Sequence, residues 1–332
     1  VISHTSSLES IMPVIVLTDA QSGSTAKILP ELGFNCFEFT ARVRDWTVSV
    51  LEADPAFVNG QLRPSGHGIP ILFPFPNRIR DSRFTWEGRP YEIPSEVGLH
   101  DKLGHAIHGF CLDKPWRVIA RDDHSATGQF QLSVDAPERR DFWPADFRIE
   151  VRYELRAGRL RCDIRIENPD TIPLPWGCGT HPYFRVPLEA SSRLGHCLVQ
   201  VPARQQWTLV DCLPTGDRCE VTPEKDLRDG EYLDVLTLDD VLTDLEPTDG
   251  FVETAIYDEA AGLQITQHFG REFREVVVFT PPNRPCVCVE PYSCTTDAIN
   301  LSARGIDGGL QVLPPGQAAH LWFEVAAGTL LC

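Results

Sequence analysis

Residues 147–166 constrain the fold more than any other segment of the chain. Phe147, Ile149, Val151, Tyr153 and Leu155 alternate with Arg148, Glu150, Arg152 and Glu154. Successive side chains of an extended strand point to opposite faces, so this period of two marks a strand with one buried and one wet face. Leu160, Cys162, Ile164 and Ile166 repeat the pattern after the turn at Ala157-Gly158. The two runs read as a long antiparallel hairpin. Further strands are expected at 130–134, 275–279, 286–289 and 320–325. The 27 prolines and 24 glycines punctuate the chain at short intervals, and no long amphipathic helix stands out. Strands without such helices bury their apolar faces on one another, which predicts an all-β, sheet-on-sheet fold.

With 332 residues the chain can bury a substantial core. A net charge of −17 argues against nucleic acid, whose phosphates need a basic face, and against anionic membrane surfaces. It does not exclude a phosphorylated substrate, because a few arginines can hold one phosphate. No segment approaches the roughly 20 apolar residues of a membrane span. The apolar run 11–17 lacks the basic flank of a signal peptide. The 11 cysteines, an odd number with no CxxC pair, read as reduced, buried thiols of a cytoplasmic protein. Met12 is the only methionine and a candidate start. Residues 1–26 are expected to form an N-terminal extension and first strand region, and 27–332 a single domain.

Five segments carry groups suited to chemistry. Arg78 ends the proline-rich run 68–77, expected to be an ordered loop. Its guanidinium can donate several hydrogen bonds to a ligand or pair with an acidic neighbour. His108 precedes Gly109, which suits a close backbone approach by a ligand. His105 and His108 have metal-like spacing only on a helix, which Gly109 disfavours. His181 precedes Pro182, which pushes it out of helical geometry onto a strand or its end. Tyr183 then points to the same side as His181. His181 is either a proton donor or a hydrogen-bonded core histidine. Glu290 ends an apolar strand, where desolvation of a carboxylate is costly unless compensated or used. Asp239 and Asp240 point to opposite faces of a strand, so at most one faces a cleft. No metal or cofactor is expected from this pattern.

In this order and spacing, the segments resemble the aldose 1-epimerase family, the galactose mutarotases. Asn77-Arg78-Ile79, with the hairpin from Arg83 to Tyr91, is similar to the family's Asn-Arg segment. His108-Gly109-Phe110 with Pro115-Trp116, and Thr180-His181-Pro182-Tyr183-Phe184, are similar to its two histidine segments. Glu290-Pro291, leading to Thr296-Asp297-Ala298-Ile299-Asn300, resembles its glutamate segment. The resemblance covers roughly residues 27–325. It implies a large antiparallel β-sandwich, a galactose mutarotase-like supersandwich, with a sugar in an open cleft. It implies that Glu290 is the general base and His181 the general acid. Asn77, Arg78 and His108 would bind the sugar, with Tyr183 beside them. Asp239 matches the family's sugar-binding aspartate most closely, with Asp240 the alternative.

The chemistry agrees with the resemblance. Opening a cyclic hemiacetal needs one proton removed and one supplied, which a Glu and a His provide without metal or cofactor. A free aldohexose is the expected substrate. The rivals are a hexose-6-phosphate 1-epimerase, with Arg63, Arg80 and Arg185 near the motifs, and a non-catalytic sugar-binding protein. A glycoside hydrolase would need a second placed carboxylate. Trp116, Trp143, Trp176 and Trp207 are candidate cleft walls, and a monomer or homodimer is expected.

Overall fold

The expected hairpin forms as strands Arg148–Arg156 and Arg159–Glu167, in continuous register from Arg148↔Glu167 to Arg156↔Arg159. Ala157 and Gly158 both take positive φ, 50° and 72°, as the tight turn of a twisted hairpin requires. The alternating apolar residues of both strands are buried. Each such side chain contributes roughly 1.5–3 kcal/mol of burial free energy. The computed structural model describes residues 12–330, so the extension expected before Met12 lies outside the described residues.

This hairpin lies within a nine-stranded sheet. The order is Arg117–Arg121, Ser125–Gln131, Arg148–Arg156, Arg159–Glu167, Ala318–Thr329, Leu263–Gly270, Phe251–Asp258, Cys197–Gln200 and Glu231–Tyr232. An eight-stranded sheet runs Leu213–Glu220, Ala203–Val210, Asp239–Leu245, Glu275–Phe279, Cys286–Tyr292, Gly179–Thr180 and Ile71–Leu72, with Tyr183–Arg185 also paired to Cys286–Tyr292. Every pairing between named strands is antiparallel. Ile149, Val151 and Tyr153 of the first sheet share one apolar core with Val276, Val278, Val287 and Val289 of the second. The expected large antiparallel β-sandwich is therefore the fold. No helix among the described residues is long and apolar enough to cross a membrane.

Two details differ from the sequence reading. The strand expected at 130–134 ends at Gln131, and Leu132–Asp135 turns into a single helical turn. Asp135 accepts the Gln131 amide (2.6 Å) and Asp146 accepts the Ser133 amide (2.9 Å), so side chains take the backbone bonds a strand would need. The boundary expected at residue 26 falls inside strand Ser24–Leu29. Ala26 and Ile28 of that strand, with Ile15 and Leu17 of Ile15–Asp19, are part of the main core, so the chain is not divided there.

Candidate active site

Strand Cys286–Tyr292 is buried on both faces. Val287 and Val289 enter the core, while Cys288, Glu290 and Tyr292 face the other way. Its neighbour on one side is interrupted. Gly179 pairs with Tyr292, and Tyr183 pairs with Cys288. The register runs through the gap between them and places His181 opposite Glu290. His181 Nδ1 lies 3.3 Å from Glu290 Oε1. The glycine at 179 is required by packing, since a Cβ there would meet the Tyr292 ring at 2.5 Å.

Around this pair lies a cleft of about 470 Å³, within the usual range for a small-molecule site. Arg78 enters it from the short ladder Arg78–Ile79 with Ala106–Ile107. Asp101 accepts from Arg78 Nε at 2.8 Å, and Asn77 Oδ1 accepts from Nη1 at 2.7 Å. Arg78 thus both pairs with an acid and lines the cleft. His108 sits at φ 68°, with its ring centroid 5.6 Å from that of His181. Tyr183 stacks on His181 at 4.7 Å with an interplanar angle of 3°, and its hydroxyl donates to Ser65 O at 2.9 Å. Asp239 lines the rim, whereas Asp240 accepts from Lys225 Nζ at 2.6 Å. Of the two adjacent acids, Asp239 is the one in the cleft.

Burial governs the charges at the floor. It pushes the Glu290 carboxyl well above its ordinary range, further raised by Asp239 and only partly offset by the Tyr292 hydroxyl, which donates to Oε2 at 2.5 Å, and by Arg78. Burial lowers His181 to about 3, with Arg63 and Arg284 pushing the same way. Burial, then His181, Arg63 and Arg78, hold His108 well below its ordinary value. The imidazole of His108 is therefore neutral, with one donor and one acceptor nitrogen. The Nδ1 atoms of His108 and His181 are buried without a hydrogen-bond partner, so the floor is polar and unsatisfied.

Several expectations need correcting. Gly109 does not admit a ligand: a Cβ there would lie 2.1 Å from Phe73 O, so the close approach is by the protein's own backbone. Trp116, Trp143, Trp176 and Trp207 are buried in the core and none lines the cleft. Of the three arginines near the motifs, Arg63 lines the cleft while Arg80 pairs with Asp297 at 3.6 Å. His67, Arg284 and Tyr292 are cleft residues that sequence reasoning missed. Tyr292 was findable, being two residues from Glu290 on one strand face. Arg284 carries no local signal: it is held by Glu52 and Gly66, far away in the chain. Separate segments also converge as potential metal donors, since His181, Cys288 and Glu290 have ligand atoms within 4.8 Å of one another. The ten described cysteines form no disulfide, and eight are buried.

The antiparallel sandwich that carries this cleft is the fold of galactose mutarotase-like proteins. The chain superposes on a galactose mutarotase-like protein of Clostridium acetobutylicum with a TM-score of 0.82 and 21% identity, over 96% of this chain and 99% of that one. A GalM/aldose epimerase homologue from C. elegans gives a TM-score of 0.79 and 18% identity, over 96% and 99%. In sequence, the Escherichia coli protein YihR is 26% identical over 79% of this chain and 80% of its own length. The match to YphB of the same organism is 28% identical but spans only 46% of this chain and 47% of YphB. The aldose 1-epimerase family model matches residues 45–326. The chain belongs to the aldose 1-epimerase family.

Proposed function

We propose that the protein interconverts the α and β anomers of a free aldohexose by acid–base ring opening and reclosure. The observation that carries this reading is His181 opposite Glu290, 3.3 Å apart, at the floor of a monosaccharide-sized cleft. The Glu290 carboxylate takes the proton from O1 as the C1–O5 bond breaks, and the His181 imidazolium supplies a proton to O5. Rotation about C1–C2 then turns the other carbonyl face toward O5. On reclosure Glu290 returns its proton to the carbonyl oxygen, and His181 takes back the proton of the O5 hydroxyl. The protein gains and loses no net proton.

Burial acts unequally on the two states of the pair. Raising Glu290 and lowering His181 favours carboxylic acid with neutral imidazole, the state that faces the open-chain aldehyde. The charged pair that starts the cycle therefore depends on the sugar, whose hydroxyls donate to the carboxylate where water cannot. Ring opening discharges a pair that the site disfavours, which stabilises the transition state more than the ground state. Neutral His108, Asp239 and Arg78, whose Nη2 lies outside its bonds to Asp101 and Asn77, hold the remaining hydroxyls.

Arg63 and Arg284 on the same cleft favour a second reading, a sugar phosphorylated at a position distant from C1. NMR exchange measured on free and 6-phosphorylated aldoses separates the two. Free hexoses should show the higher kcat/KM. A much higher value for a 6-phosphate selects the second reading, and binding without exchange above background overturns both.

A further inference from the structure

The residue behind the acid–base pair is a thiol. Cys288 shares a strand face with Glu290, and its register partner Tyr183 stacks on His181. One ring nitrogen of His181, a Glu290 carboxylate oxygen and Cys288 Sγ all lie within 4.8 Å of one another, and His181 Nδ1 is 3.3 Å from Glu290 Oε1. Zinc bound by nitrogen, oxygen and sulfur at about 2.0–2.3 Å needs donors roughly 3.3–3.8 Å apart in a tetrahedron. Shifts of about an ångström or less bring the three donors to that spacing. His181 is 7% exposed and its Nδ1 has no hydrogen-bond partner, so one lone pair or proton already faces the cluster unsatisfied.

We propose that His181, Cys288 and Glu290 form a binding site for a borderline-soft divalent cation of the zinc class, and that the ion inhibits the enzyme. The donor set excludes magnesium and calcium, which take oxygen ligands, and suits zinc, cobalt or cadmium. The ion enters through the cleft, whose floor His181 and Glu290 line, and reaches the thiol behind them. Coordination displaces the thiol proton to solvent. It occupies the carboxylate and imidazole lone pairs, so neither group can carry a proton. Inhibition, though not binding, rests on the acid–base reading above.

The test uses the full chain and the metal alone. Cobalt(II) added without sugar should produce a thiolate-to-metal charge-transfer band, absent in Cys288→Ser and Cys288→Ala. Zinc should inhibit anomer exchange competitively with sugar, and a chelator should restore full activity. The cysteine variants, which keep both proton-transfer groups, should retain basal exchange and require at least about 10–100-fold more zinc for the same inhibition, the loss typical of weakening a metal site. Near-ultraviolet circular dichroism verifies that they fold. If no charge-transfer band forms in the unsubstituted protein, the site is overturned. Zinc inhibition that is unchanged in both folded variants overturns it as well. A cobalt band in a protein that exchanges no sugar supports the site and overturns the acid–base reading instead.

Discussion

Glu275 and Glu290 are two buried carboxylates on neighbouring strands of one sheet, each 1% exposed. Burial raises both, Glu275 to about 7 and Glu290 well above the ordinary range. Their surroundings differ. Glu275 accepts from Trp207 Nε1 at 3.1 Å and from the Thr243 side chain, lines neither the active-site cleft nor the cavity nearest to it, and has no histidine opposite it. Glu290 has His181 opposite it and an open cleft above it. The larger cavity, about 790 Å³, lies beside Glu275 and is lined by Thr243, Arg218 and Arg274. Arg274 there is already satisfied by two 3.0 Å bonds to Asp307. Neither volume nor a raised carboxyl marks the site. What marks it is a raised carboxyl that meets both a proton partner and an accessible, unsatisfied floor.

The contrast predicts its largest effect at Glu290. Glu290→Gln keeps the shape but cannot accept a proton, so exchange should fall by about 10²–10⁴-fold with sugar affinity little changed. His181→Asn should lose a similar factor, and the double variant far less than the product. Single-turnover NMR exchange checks this, and near wild-type rates in Glu290→Gln would sink the assignment. The pair titrates as a unit. With His181 lowered to about 3 and Glu290 raised, the singly protonated state spans a wide interval. The rate should therefore hold a broad plateau. It should drop near pH 3, and again on the alkaline side above the ordinary carboxylate range.

A smaller effect separates Asp239 from Asp240. Asp239→Asn removes a charged hydrogen-bond acceptor from the cleft, worth about 1.5–3 kcal/mol, so kcat/KM should fall roughly 10–100-fold. Asp240→Asn breaks only a partly exposed ion pair with Lys225, worth at most about 1 kcal/mol, and should leave kcat/KM unchanged. Equal losses from both would remove Asp239 from the site.

The smallest effect on exchange belongs to Glu275→Gln, which should stay within a few-fold of wild type. Its signature is stability. The folded pKa of Glu275 lies above its ordinary 4.5, so the folded state holds an extra proton between 4.5 and about 7. Its contribution is complete below pH 4.5 and is lost as pH rises through about 7, a change of about 3 kcal/mol. Denaturant unfolding at pH 5 and pH 8 should show a smaller difference in Glu275→Gln than in wild type. An unchanged difference means that the carboxyl is not held protonated.

Much of this was legible in the residues themselves. Alternation and a two-residue turn are local properties, so the hairpin of residues 147–166 could be read directly and its apolar side chains assigned to the core. His181 beside Pro182, and Glu290 directly after the apolar run 286–289, stood out because each breaks the pattern around it, although the strand runs on past Glu290 to Tyr292. Their meeting is not local. It depends on the register through Gly179↔Tyr292 and Tyr183↔Cys288, a pairing between distant segments. The same register brought Cys288 behind the pair and Tyr292 onto the carboxylate.

The sequence by itself determined which stretches are strands and which polar residues are costly to bury, because both follow from periodicity and desolvation along the chain. Only the tertiary structure decided that Asp239 and not Asp240 reaches the cleft, that the tryptophans fill the core, and that Glu290 and not Glu275 meets a histidine. Those outcomes depend on which strand lies beside which, and a one-residue slip in pairing would reverse the face of every side chain involved.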